Sequence, residues 1–305
     1  MQGIELARRF YETCGIPMLT EQFSAVADRI AVGLVGEGSE CLGFDDATSQ
    51  DHDFEPGFCL FITQADYEQF GFALERAYAK LPKTFEGFKR ATLSPVGGNR
   101  HGVLVIEDFY RRFLGAATAP ETYEHWLQIP PSALRSATSG EIWRDDLGAF
   151  SKTRDTLLAG YPNDVRLKKL AAHTIHMAQS GQYNLPRCLG RGEVGAAGLC
   201  VSEFVHHAIS AVYLLNNTYE PFYKWAYRGM RELPLLSGLE QDLISLPKSD
   251  DPTAIVEKVA EKLATAFRLQ GISGAAGSDL SAHAFEMTRH IQNGNIRNLH
   301  IMDGI

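Results

Sequence analysis

Ile4, Leu6, Phe10 and Tyr11 recur at helical spacing near the start of the chain, and Phe23, Val26, Ala27 and Ile30 do so a little later. This pattern predicts helices over 4–14 and 19–30. Residues 31–35 are then a short unbroken apolar run, which reads as a buried strand. An acidic polar stretch follows, and 57–63 repeats the apolar run as a second strand. Tyr67, Phe70, Leu74 and Ala77 return to spacings of three and four, which predicts a helix over 64–80. Residues 101–106 read as a third strand, and 107–114 as the helix behind it.

The character changes after about residue 115. Pro130-Pro131 marks a break, and the stretch GEIWRD at 140–145 suggests one extra strand. From Leu147 onward helical patterns dominate. Asp251-Pro252, followed by Ile255, Val256, Val259, Leu263 and Phe267 with Gly271 behind, is a helix with clear start and stop signals. Residues 279–302 read as one last long helix. The expected class is therefore α+β, with a small mixed-sheet domain over 1–118 followed by a mainly helical domain over 119–305.

Composition narrows the function classes. The chain has 305 residues and 45% hydrophobic content, enough for one large core or two ordinary ones. A net charge of −8 argues against a broad nucleic-acid footprint. No run in the sequence reads as the roughly 18–20 apolar residues of a membrane span, so no membrane partner is expected. The charged, helix-patterned start does not read as a signal peptide. The cysteines Cys14, Cys41, Cys59, Cys188 and Cys200 are scattered without a C-x-x-C pair, as suits reduced thiols in a cytoplasm.

Residues 36–63 hold the candidate chemistry. Four aspartates, Asp45, Asp46, Asp51 and Asp53, stand there without a lysine or arginine. Gly38-Ser39 follows the first strand, and a Gly-Ser turn can expose backbone N–H groups to phosphate oxygens. In an extended segment residues two apart share a face, so Asp51 and Asp53 project together. A carboxylate pair near a phosphate-binding turn suits Mg²⁺, which takes one or two carboxylates plus substrate phosphates. The plain alternative is a solvated Gly/Ser/Asp connection between two strands. Asp45 and Asp46 do not have the pair's spacing and suit a loop-fixing role.

A strand, then Gly-Ser, then Asp-x-Asp leading into the next strand resembles the polymerase-β-like nucleotidyltransferases. The fuller stretch GSECLGFDDATSQDHDFEPGFCLF is similar to an uncharacterised bacterial branch of that superfamily, in which a helical domain follows the transferase domain. The later segments IWRDDLGAF and YNLPRCLGRGE…LNNTYEPFYKWAYR share the likeness, which is most specific at Gly38, Ser39, Asp51 and Asp53. The resemblance implies Mg²⁺-dependent transfer of a nucleotidyl group, from ATP or another nucleoside triphosphate, to a small hydroxylated acceptor with release of pyrophosphate. It also implies a third carboxylate on a later strand, and it raises Lys224 and, more weakly, Arg187 as nucleotide contacts.

The stretch HGVLVIED is the natural place for that carboxylate, but Val103 and Val105 hold the face in question. Glu107 continues their period-two face and is the candidate; Glu also favours the first turn of a helix. Without it the chain would be a nucleotide-binding, regulatory protein of the same fold. A third reading is a transferase whose acceptor is another protein's side chain. His173 and His176 read as ordinary helix-face histidines, and His206-His207 as core and surface neighbours.

Overall fold

The computed structural model describes residues 1–46, 48, 55–90 and 100–305. They form an α+β chain with a small mixed sheet and many helices. Unit 1 holds Met1–Pro120 and Ala133–Ala159, and unit 2 holds Glu121–Ser132 and Gly160–Ile305. The chain passes between the units three times, where the residue pattern places one boundary after 118.

The return to unit 1 has a physical cause in the sheet. Its strands are β1 (Ala31–Leu34), β2 (Cys59–Ile62), β5 (Gly102–Val105) and β6 (Glu141–Arg144), in the order β5-β2-β1-β6. The two remaining strands, β3 (Thr84–Phe85) and β4 (Phe88–Lys89), form a separate hairpin. β1 pairs antiparallel with both β2 and β6, and β2 pairs parallel with β5. The strand expected at 140–145 is thus β6, and its hydrogen bonds to β1 draw 133–159 into unit 1.

β2 is buried along its whole length. Leu60 and Ile62 join a cluster with Phe10, Leu19, Phe58, Leu74 and Tyr78. Phe61 points the other way, with its ring centroid 5.2 Å from that of Phe109 and 4.2 Å from that of Phe150. Burial on both faces explains the unbroken apolar run in the sequence.

The first helical segment differs from expectation. Helical turns run on through α-helix Gly3–Phe10, a π-helical turn Tyr11–Gly15 and α-helix Ile16–Gln22. Nothing helical spans 23–26, and a 3₁₀ turn Ala27–Arg29 leads into β1. Gly15-Ile16-Pro17 reads as a break, but the wide turn just ahead of Pro17 accommodates its missing N–H. Gly15 is itself required. A Cβ there would lie 2.6 Å from the Tyr11 ring and 2.7 Å from the Phe58 ring.

The helix expected over 64–80 also contains a π turn, Tyr67–Gly71, between Gln64–Asp66 and Phe72–Ala79. The β3–β4 hairpin, unmarked in the sequence reading, turns at Glu86 and Gly87, both with positive φ, as a two-residue hairpin turn requires. Residues 91–99 lie outside the described residues.

In unit 2 the helix Asn163–Met177 is buried on nearly every side, against Val194–Leu215 and Leu280–Arg289 among others. Helix Pro252–Leu269 has the expected punctuation: Asp251 accepts from the Ala254 N–H at 3.1 Å, and Gly271 has φ 67°. The expected helix over 279–302 is divided into Leu280–Arg289 and Gly294–Arg297. The Asp164 carboxylate accepts from the N–H groups of Gln292, at 3.1 Å, and Asn293, at 2.7 Å, and so holds the chain in the turn between them.

Contrary to the expectation that no segment has the length of a span, Val194–Leu215, at 22 residues with a mean window hydropathy of 1.3, is long and apolar enough to cross a membrane. It is 61% buried over that window inside the protein, as a core helix would be.

Replacing Gly15 by alanine should cost about 1–3 kcal/mol, the range for overpacking a filled core. Urea denaturation checks this, and an unchanged midpoint would show that the helix can move away from β2.

Candidate functional site

β1 ends at Leu34, and the chain turns through Gly36, at φ 143°, to Gly38. Gly38 is the N-cap of the short helix Ser39–Leu42, which Gly43 ends in the left-handed conformation. Gly38 has φ −67° and ψ 151°, a conformation open to any residue. What occupies its Cβ position is the Glu40 carboxyl, whose Oε1 would lie 1.8 Å from an added Cβ. Glu40 therefore folds back over the turn where phosphate oxygens are expected. Burial pushes its pKa up, opposed by a hydrogen bond from its own backbone N–H and by the charges of His101 and Arg100. Asp45 Oδ2 accepts from the Gly3 N–H at 2.7 Å, and Asp46 Oδ1 from the Thr48 N–H at 3.0 Å. Both serve the loop-fixing role.

At the start of β5, His101 Nδ1 lies 3.0 Å from Glu55 Oε1. Gly57 makes this possible, because a Cβ there would stand 2.7 Å from His101 Cγ. A cavity of about 460 Å³ in unit 1 is lined by Gly36, Glu37, Gly38 and Glu40 on the turn, by Arg100 and His101, and by Val103–Val105 of β5. Phe109 and Phe113 add an apolar wall. Arg112 at its rim is paired with Glu37 at 2.5 Å.

The structure brings Gly38 to this cavity. Ser39 is beside it in sequence but not in the lining. Asp51 and Asp53 lie outside the described residues, as does His52. Glu107 is not on the third strand: β5 ends at Val105, and Glu107 is in the first turn of helix Ile106–Leu114. The period-two relation to Val105 is lost where the backbone becomes helical. Its Oε2 accepts from the Gln64 N–H at 3.0 Å, which anchors the start of another helix. Glu107 is not in the lining either. Arg187 and Lys224 belong to unit 2. The Arg187 guanidinium lies 3.6 Å from the Tyr183 ring centroid, and Lys224 Nζ lies 5.3 Å from that of Trp225.

Sequence reasoning missed Glu40, Glu55, Arg100 and His101. Glu55 had a signal, since it continues the alternation of Asp51 and Asp53 by two more residues. His101 had none, because its partner is 46 positions away. Among the described residues no three His, Cys, Asp or Glu side chains are placed to hold a metal ion.

The aromatic segment around Lys224 contains one strongly perturbed acid. Glu220 Oε2 accepts from Ser210 Oγ at 2.5 Å, and burial pushes its pKa from 4.5 up to about 7. The folded state thus holds the Glu220 proton more tightly than the unfolded chain does. Its contribution is full below about pH 4.5 and is lost as pH rises through about 7. Wild-type protein should therefore lose stability relative to Glu220→Gln between about pH 5 and 8, by on the order of 3 kcal/mol. Melting temperatures of both across that range check it, and parallel curves would refute it.

Residues 126–226 match the family model described as "Domain of unknown function (DUF4037)". The match includes Arg187 and Lys224, and it ends well short of the Gly38 turn. No curated protein and no solved structure matches the chain.

Proposed function

We propose that unit 1 binds a nucleoside triphosphate at the Gly38 turn, and that the protein is a nucleotidyltransferase acting on a small hydroxylated acceptor. The observation that carries this reading is the placing of the turn. It leaves β1 directly into a cavity lined by an apolar wall for a ring and by polar and charged groups. The strand before the turn and the strand after it are β1 and β2, which pair antiparallel.

Backbone N–H groups at the turn would hold phosphate oxygens, and Arg100 would add positive charge. Glu40 has to swing off the turn for this, and burial, which raises its pKa, lowers the cost of losing its charge there. Glu40 and Glu55, in one segment with Asp51 and Asp53, are hard oxygen donors of the kind Mg²⁺ takes. Asp51 and Asp53 would hold the ion, which supplies charge neutralisation for the triphosphate and the leaving pyrophosphate. The chain's own part is alignment of the acceptor oxygen for in-line attack and exclusion of water.

One observation favours a second reading, a nucleotide-binding regulator with little or no turnover. β5 carries no carboxylate, and Glu107 is engaged by Gln64.

ATP titration with and without Mg²⁺ tests the common ground. Wild type should bind ATP only with the ion, and Asp51→Asn or Asp53→Asn should abolish that binding with folding intact. Unchanged affinity and magnesium dependence in both variants would overturn the assignment. Glu40→Gln should bind ATP several-fold more tightly, since it removes a carboxylate from the phosphate position.

Transfer of label from α-labelled ATP to a pool of small molecules then separates enzyme from regulator. If Glu107 is the base, Glu107→Gln should slow transfer by roughly 10²–10⁴-fold at unchanged ATP affinity. Full transfer by that variant would leave Glu107 only its anchoring role.

A further inference from the structure

Helices Asn163–Met177 and Val194–Leu215 bring four histidines together in unit 2. His173 Nδ1 lies 2.9 Å from His207 Nδ1, and both residues are buried. The His176 ring stacks on His207 with centroids 4.6 Å apart, and the His206 ring lies 5.1 Å from His207. Glu203 Oε2 stands 3.4 Å from His207 Nε2. His176 is half-buried, while His206 and Glu203 are exposed, so the cluster runs from the core to solvent.

Two facing ring nitrogens at this distance share a single proton. The two rings are buried against each other, and the single shared proton leaves each ring with one N–H and no charge. Glu203 favours the proton of His207 on Nε2, which leaves a lone pair on Nδ1. The proton between the rings then belongs to His173 Nδ1. Neutral imidazoles with a carboxylate behind one of them are the usual setting of metal-bound histidine.

We infer that this cluster is a binding site for a divalent transition metal of the Zn²⁺ class, held by His173 Nδ1 and His207 Nδ1 with His176 as third ligand. Nitrogen donors select this class over Mg²⁺ or Ca²⁺. On binding, the His173 proton moves to its Nε2 and both Nδ1 lone pairs go to the metal. Nitrogens on one tetrahedral zinc at about 2.0–2.1 Å sit about 3.3 Å apart, so the pair opens by a few tenths of an ångström and both rings turn until their lone pairs meet at the metal beside the line that now joins them. As the rings stand only two nitrogens converge, and His176 must rotate off His207 to complete the site. Lys169, one turn before His173, directs its Nζ away, to the carbonyls of Leu127 and Gly304.

The test is calorimetric titration of chelator-treated full-length protein with ZnCl₂ in excess Mg²⁺, paired with thermal melting. One equivalent should bind with micromolar or tighter Kd and raise Tm. His173→Gln and His207→Gln should each weaken binding at least 100-fold. Glu203→Gln should weaken it about 10–100-fold, as loss of an outer carboxylate does. The double variant Asp51→Asn, Asp53→Asn should keep full zinc affinity. Absence of binding by wild type, or equal binding by His173→Gln and His207→Gln, overturns the proposal. Should those buried-ring variants fail to fold, the more solvent-accessible His176→Ala and Glu203→Gln decide, and unchanged affinity in both overturns it.

Discussion

Burial of polar groups on the helix Asn163–Met177 is the constraint on which unit 2 depends. Asp164, Lys168, Lys169 and His173 are all buried on this one helix. A charge or polar group taken from water without a partner costs several kcal/mol, so each dictates where a neighbouring segment runs. Asp164 holds the turn at Gln292 and Asn293. Lys168 donates to the His300 carbonyl at 2.5 Å, and Lys169 donates to those of Leu127 and Gly304 at 3.1 and 3.0 Å. His173 meets His207. Burial also lowers the Lys169 pKa to about 8, since carbonyls stabilise its charge less well than water or a carboxylate would.

Unit 1 rests on a different constraint, the burial of β2 on both faces. Helical residues 3–22 can cover one face closely because Gly15 has no side chain to strike Phe58. Phe109, Tyr110 and Phe150 cover the other, with the Tyr110 hydroxyl donating to the Phe150 carbonyl at 2.9 Å. Phe150 is itself held where Asp145 accepts from the N–H groups of Ala149, Phe150 and Ser151. β5 and helix Ile106–Leu114 form much of the wall of the cavity beside the Gly38 turn.

The acids of unit 1 divide by what they are bonded to. Asp45, Asp46 and Glu107 accept backbone N–H groups and hold local structure. Glu40 folds over the turn and Glu55 pairs with His101, while the acidic residues lining the cavity are Glu37, Glu40, Glu75 and Asp108.

Local periodicity determined much on its own. The runs that became β1, β2, β5 and β6, and helix Pro252–Leu269 with its Asp251 cap and Gly271 stop, were legible because burial repeats at the period of the element that makes it. The Gly-Ser turn was legible as a turn, while the role of Gly38 as the cap of a short helix was not. Three things were decided only by tertiary structure. Gly15 and Pro17 look like a break until Phe58, 43 residues on, needs the space. β6 looks like part of a helical domain until β1 offers it hydrogen bonds. His101 with Glu55, and His173 with His207, become pairs only when distant segments pack. A side chain's chemistry depends on what lies within a few ångströms of it, and in these cases that neighbour is supplied by the fold and not by the adjoining sequence.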